Sequence, residues 1–270
     1  MTEHTVNLDR LSVQELLTKN TIARAVNTGV LVSHCAPKHV VGLSGGKDST
    51  ALALWLMQNE PRDYEFICNE TGDELPDMQA HWGLLERVIG HPLKRVRHST
   101  DLLGLIEEMQ MLPNFRARWC TRILKIEPTI AYMEALPPGS VLYVGLRSDE
   151  EERKGLFGED LIVRFPLREY GIDLRGVKKI LTDNNIVIPA RTDCGFCFHQ
   201  RVIEWRNLWR DYPDRWLKGV DVEQRHGHTF RSPGRDTWPV DMKSLGEAFA
   251  TGRKIRGEDK LTEVCRVCSL

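Results

Sequence analysis

Val40-Val41-Gly42-Leu43-Ser44-Gly45-Gly46-Lys47-Asp48-Ser49 runs from apolar residues through three glycines to a lysine, and Thr50-Ala51-Leu52-Ala53-Leu54-Trp55-Leu56 follows it. The pattern predicts strand, glycine loop, helix. In such a loop the backbone N–H groups can approach phosphate oxygens closely. The hydroxyls of Ser44 and Ser49 add donors, and the helix behind aims its positive end at the anion. Ser44, Gly45, Gly46, Lys47, Asp48 and Ser49 are therefore the candidate nucleotide-phosphate site, with Lys47 and Asp48 as candidate catalytic groups.

Commoner glycine loops do not fit. A Walker A loop ending in Gly46-Lys47 needs Gly at position 41 and Ser or Thr at 48, where this chain has Val41 and Asp48. A dinucleotide fingerprint begun at Gly42 puts Ser44 and Lys47 where glycines are required.

Outward from the loop, apolar runs and periodic stretches alternate. Strands are expected at 40–43, 64–69, 93–97 and 141–145. Helices are expected at 50–58, 78–89, 102–109, 123–135 and near 177–184, after a helix-rich stretch at 13–33. Alternation of this kind predicts a doubly wound, mostly parallel α/β sheet, whose ligands sit beyond the carboxyl ends of the strands. Residues 1–36 read as an N-terminal helical segment, 37–215 as the main domain, and 216–270 as a polar, loosely structured, cysteine-containing lobe.

Composition agrees and restricts the partners. The chain has 270 residues, 41% hydrophobic, with 37 Lys plus Arg against 38 Asp plus Glu. One large core fits, and no global field advertises nucleic acid or an anionic membrane. The first ten residues lack a signal-peptide pattern and no apolar run is long enough for a membrane span, so a soluble, cytoplasmic protein is expected. Seven cysteines in such a chain read as thiols or metal ligands.

Three further motifs follow. Asn69-Glu70-Thr71-Gly72-Asp73-Glu74-Leu75-Pro76 is an acidic turn after a strand that can present carboxylates to a ribose or a metal, with Thr71 and Gly72 as candidate cofactor-binding residues. Gly145-Leu146-Arg147-Ser148-Asp149-Glu150-Glu151-Glu152-Arg153 leaves another strand; Arg147 and Arg153 can clamp phosphate oxygens, Arg147 as a catalytic candidate. Arg118-Trp119-Cys120-Thr121-Arg122-Ile123-Leu124-Lys125 sets a cysteine among cations, surroundings that favour a thiolate nucleophile or ligand. Gln200 to Arg215 should be one helix with Trp205 and Trp209 packed in the core. Arg206 and Arg210 on its solvated face are candidate phosphate contacts.

The loop Ser-Gly-Gly-Lys-Asp-Ser resembles the PP-loop of ATP pyrophosphatases. With the motifs around Thr71, Cys120 and Arg147 in that order, roughly residues 38–215 resemble the phosphoadenosine phosphosulfate (PAPS) reductase superfamily, closest in pattern to its DNA-phosphorothioation-type iron–sulfur members. The resemblance implies an adenine nucleotide alpha hydrolase-like fold that binds ATP with Mg²⁺ and cleaves it to AMP and pyrophosphate, adenylating an acceptor for thiolation. It also implies a sulfur donor, and as acceptor or partner a nucleic acid or a second subunit.

Cysteine spacing extends this. Cys194-Gly195-Phe196-Cys197 and Cys265-Arg266-Val267-Cys268 are C-x-x-C pairs. Cys120, Cys194 and Cys197 supply three of the four ligands a [4Fe–4S] cluster needs, with Cys265, Cys268 or His199 as the fourth. Trp119 stands where iron–sulfur relatives carry a first cysteine. A zinc site built from both pairs is the alternative, but it leaves Cys120 without a role. Cys35 and Cys68 read as buried small hydrophobes. Three competing readings are a PAPS or adenylylsulfate reductase, a sulfate adenylyltransferase-like subunit, and a non-catalytic nucleotide-binding, zinc-stabilised adaptor. Reductases of this superfamily commonly lose the loop lysine and end in a Glu-Cys-Gly-[Ile/Leu]-His pattern. This chain keeps Lys47 and ends Glu263-Val264-Cys265-Arg266-Val267-Cys268-Ser269-Leu270.

Overall fold

Val40, Val41, Phe66, Ile67 and Leu142 are fully buried, as strands of a parallel sheet covered on both faces must be. They belong to β1 (His39–Gly42), β2 (Tyr64–Asn69) and β4 (Val141–Tyr143); β3 (Leu93–Val96) and β5 (Ile162–Arg164) complete the sheet. The order is β3-β2-β1-β4-β5 and every pairing is parallel. The expected α/β architecture is therefore present. The structure, a computed structural model, describes residues 36–150 and 161–256. The chain divides into two units, Met1–Ala36 and Pro37–Leu270. The helix-rich stretch expected at 13–33, together with Cys35, Arg153, Cys265 and Cys268, lies outside the described residues.

Helices α1 (Lys47–Asn59) and α2 (Pro76–Ile89) connect β1 to β2 and β2 to β3. Leu52, Leu56 and Leu85 pack with Val41 and Phe66 on one face of the sheet. Met133, Val144 and Leu146 cover the other, against Val40, Ile67 and Leu142. α1 starts at Lys47, three residues before the expected Thr50, because Gly46 already caps it in an extended conformation. After α3 (Leu102–Met109) the expected helix at 123–135 is broken in kind. A short α-turn, α4 (Trp119–Thr121), passes into a π-helical turn over Arg122–Ile126 and then into α5 (Glu127–Glu134). Pro128 sits in the first turn of α5 and has no N–H, so the regular ladder cannot run through it.

The largest correction concerns the C-terminal part. After α6 (Pro166–Glu169) and α7 (Leu174–Asp183) come α8 (Val202–Asp211), α9 (Pro213–His226) and α10 (Met242–Ala250). The single helix expected over 200–215 is two, because Pro213 forces Tyr212 out of helical geometry, at φ −134° and ψ 63°. The loose lobe expected from 217 is, through 256, a packed helical layer with its own core. Trp205, Trp216, Phe230, Met242, Leu245 and Phe249 meet there with Leu105 and Phe196. The proposed boundary at 215/216 falls inside α9. Trp205 is fully buried, in line with the core reading of the tryptophans, and Arg210 pairs with its neighbour Asp211. Among the described residues, no helix is long and apolar enough to cross a membrane.

Glu223 on α9 ties this layer together. Its carboxylate, 5% exposed, accepts N–H bonds from Phe230 (2.9 Å) and Met242 (2.6 Å). Burial raises its pKa to about 7 from 4.5, against the opposing pull of those two bonds. A raised carboxyl pKa means the folded chain keeps a proton that the unfolded chain has already released. The resulting stabilisation is full below the unfolded value of 4.5 and is lost as pH rises through about 7. Urea unfolding of wild type and Glu223→Gln from pH 5 to 8 checks this. The stability difference, wild type minus variant, should fall with rising pH by up to about 3 kcal/mol.

Candidate functional site

Pairing of β1 with β2 continues one residue past the strand, where Leu43 N–H donates to Ile67 O at 2.7 Å. The chain then turns through Gly45 at φ +86°, a left-handed conformation; a Cβ there would lie 2.2 Å from Met78 Cε. Only glycine fits. The loop is braced from α2, because Trp82 Nε1 donates to Ser44 O at 2.8 Å and Arg95 stacks 4.4 Å over the Trp82 ring. His81, 5% exposed, lies beside Gly45; burial lowers its pKa, with a bond to the Gly45 backbone opposing. Ser44 Oγ and Ser49 Oγ are 3.0 Å apart, and Ser49 Oγ donates to Gly46 O at 3.1 Å.

Asp48, 6% exposed, gathers the charges at this loop. It accepts from Lys47 Nζ at 3.0 Å and from Arg147 Nη1 at 3.0 Å through both oxygens. Arg147 also donates through Nε to Asp149 Oδ1 at 2.8 Å. Burial disfavours its charge, but the bonds to Asp149 and Asp48 outweigh that and raise its pKa. Gly145 makes the approach possible, since a Cβ on it would lie 3.0 Å from Asp48 O and Ser49 N. Lys47, Asp48 and Arg147 thus come together at the carboxyl ends of β1 and β4, as the topology requires of a ligand site.

In the turn after β2, Thr71 is buried and Gly72 is exposed. Thr71 N–H, Thr71 Oγ1 and Gly72 N–H all donate to the Glu74 carboxylate, at 2.8, 2.6 and 3.0 Å. What the turn does is assemble the cysteines. Asn69 Nδ2 donates to Lys125 O at 3.0 Å, fixing the π-helical turn that follows Cys120. Asp73, 1% exposed, accepts Gly195 N–H on its backbone O at 2.6 Å and Phe196 N–H on Oδ2 at 2.7 Å. Arg215 Nη1 bridges the backbone O atoms of Asp73 and Glu74, each at 3.0 Å. Burial raises the Asp73 pKa to about 6, more than the Arg215 charge lowers it. Gly195 is required because a Cβ there would lie 2.8 Å from Arg215 Nη1 and 3.0 Å from the Asp73 carboxylate.

Cys120, Cys194 and Cys197, spread over the chain, line one cavity of about 40 Å³ together with Thr71, Arg118, Lys125, Asp193 and His199. All three are free thiols, as is the buried Cys68. The thiolate expected at Cys120 is corrected. Burial, and then the nearby Cys194, push its pKa up to about 11, and Lys125 offsets this only in part. The Cys197 pKa is raised well above the ordinary thiol value, by a hydrogen bond with Cys194 and by burial. His199 is held neutral, burial lowering its pKa to about 4 with help from Arg118. Soft thiol donors beside a neutral imidazole suit iron or zinc chemically. As they stand, no three His, Cys, Asp or Glu side chains among the described residues are arranged to hold a metal ion.

Residues 38–156 match the family model of the phosphoadenosine phosphosulfate reductase domain. The match supports that superfamily. It spans the glycine loop, the Thr71 turn, the Cys120 motif and Arg147, and ends before the C-x-x-C loop. Among solved structures, phosphoadenylyl-sulfate (PAPS) reductase from Candida auris, in a phosphate complex, is similar at 16% identity and a TM-score of 0.42. That likeness covers 64% of this chain and 89% of that one. No curated protein matches.

Met78, His81, Trp82, Asp73 and Arg215 escape sequence reasoning. Only the helical spacing of Met78, His81 and Trp82 hints at a shared face. Replacing Asp73 by Ala leaves the Phe196 N–H without its acceptor and Arg215 without its charge partner. Stability should drop by about 2–4 kcal/mol in urea unfolding, and thiol titration should show faster modification of Cys194 and Cys197.

Proposed function

We propose that this protein is an ATP-dependent sulfur-transfer enzyme that cleaves ATP to AMP and pyrophosphate and adenylates an acceptor for thiolation. The observation that carries the reading is Lys47 and Arg147 converging on Asp48 at an intact glycine loop. A triphosphate entering there offers both cations a denser negative charge than one carboxylate does. They transfer to the phosphates, and Asp48 would then be free to hold Mg²⁺, which prefers carboxylate and phosphate oxygens. An acceptor oxygen attacks the α phosphorus, and the bond from that phosphorus to the bridging oxygen breaks. Lys47 and the loop N–H groups stabilise the charge on the departing pyrophosphate. Sulfur from a separate donor then attacks the activated centre, and AMP leaves with the acceptor oxygen. The acceptor is a nucleic acid or a substrate carried by a partner subunit.

Cys120, Cys194 and Cys197 would hold a [4Fe–4S] cluster, with zinc as the alternative. Bound there, the cluster supplies soft iron sites for sulfur. Loading requires the cysteines to lose their protons, which Arg118 and Lys125 at the cavity favour.

The family match favours a second reading, a PAPS or adenylylsulfate reductase, which splits no ATP. Two assays on protein purified without oxygen separate them. Pyrophosphate exchange into ATP in the presence of nucleic-acid acceptors, lowered by about 10²–10³-fold in Lys47→Ala, is expected for the transferase. Sulfite release from PAPS with a thiol reductant, and no exchange, overturns it. Iron and sulfide near about four per chain, lost in Cys194→Ser, are expected for the cluster.

A further inference from the structure

The thiol cavity contains a fourth donor from its own loop. His199 lies two residues past Cys197 and lines the cavity with Cys120, Cys194 and Cys197. Its Nε2 is buried and has no hydrogen-bond partner. A buried ring nitrogen left unmet is unfavourable, and in a pocket of thiols a metal ion would meet it. The ring is held from several sides. Phe115 meets it edge-on at 4.6 Å and 88°, and Phe198 lies against it at 4.3 Å. Arg235 donates to Phe198 O at 2.9 Å and to His199 O at 3.0 Å, fixing the backbone beneath it. The His199 backbone also hydrogen-bonds Cys197.

We propose that His199 Nε2 is the fourth protein ligand of the metal centre. The result is a Cys₃His set built within residues 120–199, with Cys265 and Cys268 outside it. The proposal rests on the metal half of the function above. Charge is consistent with it: three thiolates on a divalent ion leave one net negative charge, beside the Arg118 and Lys125 that line the cavity. Donors from one loop also avoid the entropy of closing a loop of some seventy residues to reach the C-terminal pair, about (3/2)RT ln n.

The test is anaerobic titration of the full-length, metal-free chain with Co²⁺ alone, read by thiolate-to-cobalt and d–d absorption. Wild type should bind one Co²⁺, and Cys265→Ser/Cys268→Ser should match it. His199→Ala should bind more than about tenfold more weakly. His199→Cys should recover binding with d–d bands moved to longer wavelength, thiolate being the weaker-field ligand, and this guards against misfolding of the alanine variant. Unchanged Co²⁺ binding in His199→Ala, with loss in the C-terminal double variant, overturns the proposal and leaves the metal centre standing. If wild type takes up neither Co²⁺ nor iron with sulfide, the metal centre itself falls, and the proposal with it.

Discussion

Asp73 joins the two halves of this protein. Its backbone oxygen and its carboxylate take the N–H groups of Gly195 and Phe196, a contact spanning 123 residues of sequence to Phe196. The carboxylate is 1% exposed, and its pKa near 6 shows that burial outweighs what Arg215 and Phe196 return to the charged form. A group held at such a penalty is poor evidence of stabilisation. Its geometric effect is plain: the C-x-x-C loop can sit only where β2 ends. Since Asn69, four residues earlier, anchors the segment after Cys120, one strand exit positions all three cysteines.

The glycine loop works through a different economy of charge. Two cations share one buried aspartate, and Arg147 is further held by Asp149. The cluster is near neutral without a ligand, so the cations need not stay hydrated to remain in place. An incoming polyanion then exchanges partners rather than creating them, and the side chains are already oriented when it arrives. The brace formed by Trp82 and Arg95 has the same effect on the backbone, because a loop fixed through Ser44 O loses little freedom on binding.

Much of this was legible in sequence, for identifiable reasons. Strands buried on both faces announce themselves as apolar runs, and β1, β2 and β4 were found that way. β5 was missed because it is a three-residue edge strand whose Ile162 is 52% exposed. The glycine loop is local and its residue types are diagnostic, whereas its braces come from α2 through packing, which leaves only a helical stripe. Polarity misled over residues 217–256. Their apolar residues are sparse, yet Phe230, Met242, Leu245 and Phe249 all turn to one core that α9 and α10 cannot reveal separately, and Glu223 ties it by bonds invisible to any pattern. The gathering of Cys120 with Cys194 and Cys197 was foreseeable from ligand spacing. The raised pKa values of Cys120 and Cys197 were not, because the flanking cations are visible in sequence and burial is not.

Two glycines show how tightly each site is tied to the sheet. Gly145 lies where a Cβ would press on the backbone of Asp48, and Gly195 where one would press on the Asp73 carboxylate. In both, a segment from far along the chain comes to rest on a buried aspartate just beyond a strand, at the distance an unsubstituted Cα allows. Any side chain there must move either the distant segment or the aspartate. At Gly145 that shift separates Arg147 from Lys47; at Gly195 it separates the C-x-x-C pair from Cys120. Neither change touches a reacting group, yet each alters the spacing of groups that must act together, and displacements near 1 Å between such groups cost about 10²-fold in rate. The glycines are thus part of the chemistry through the distances they permit.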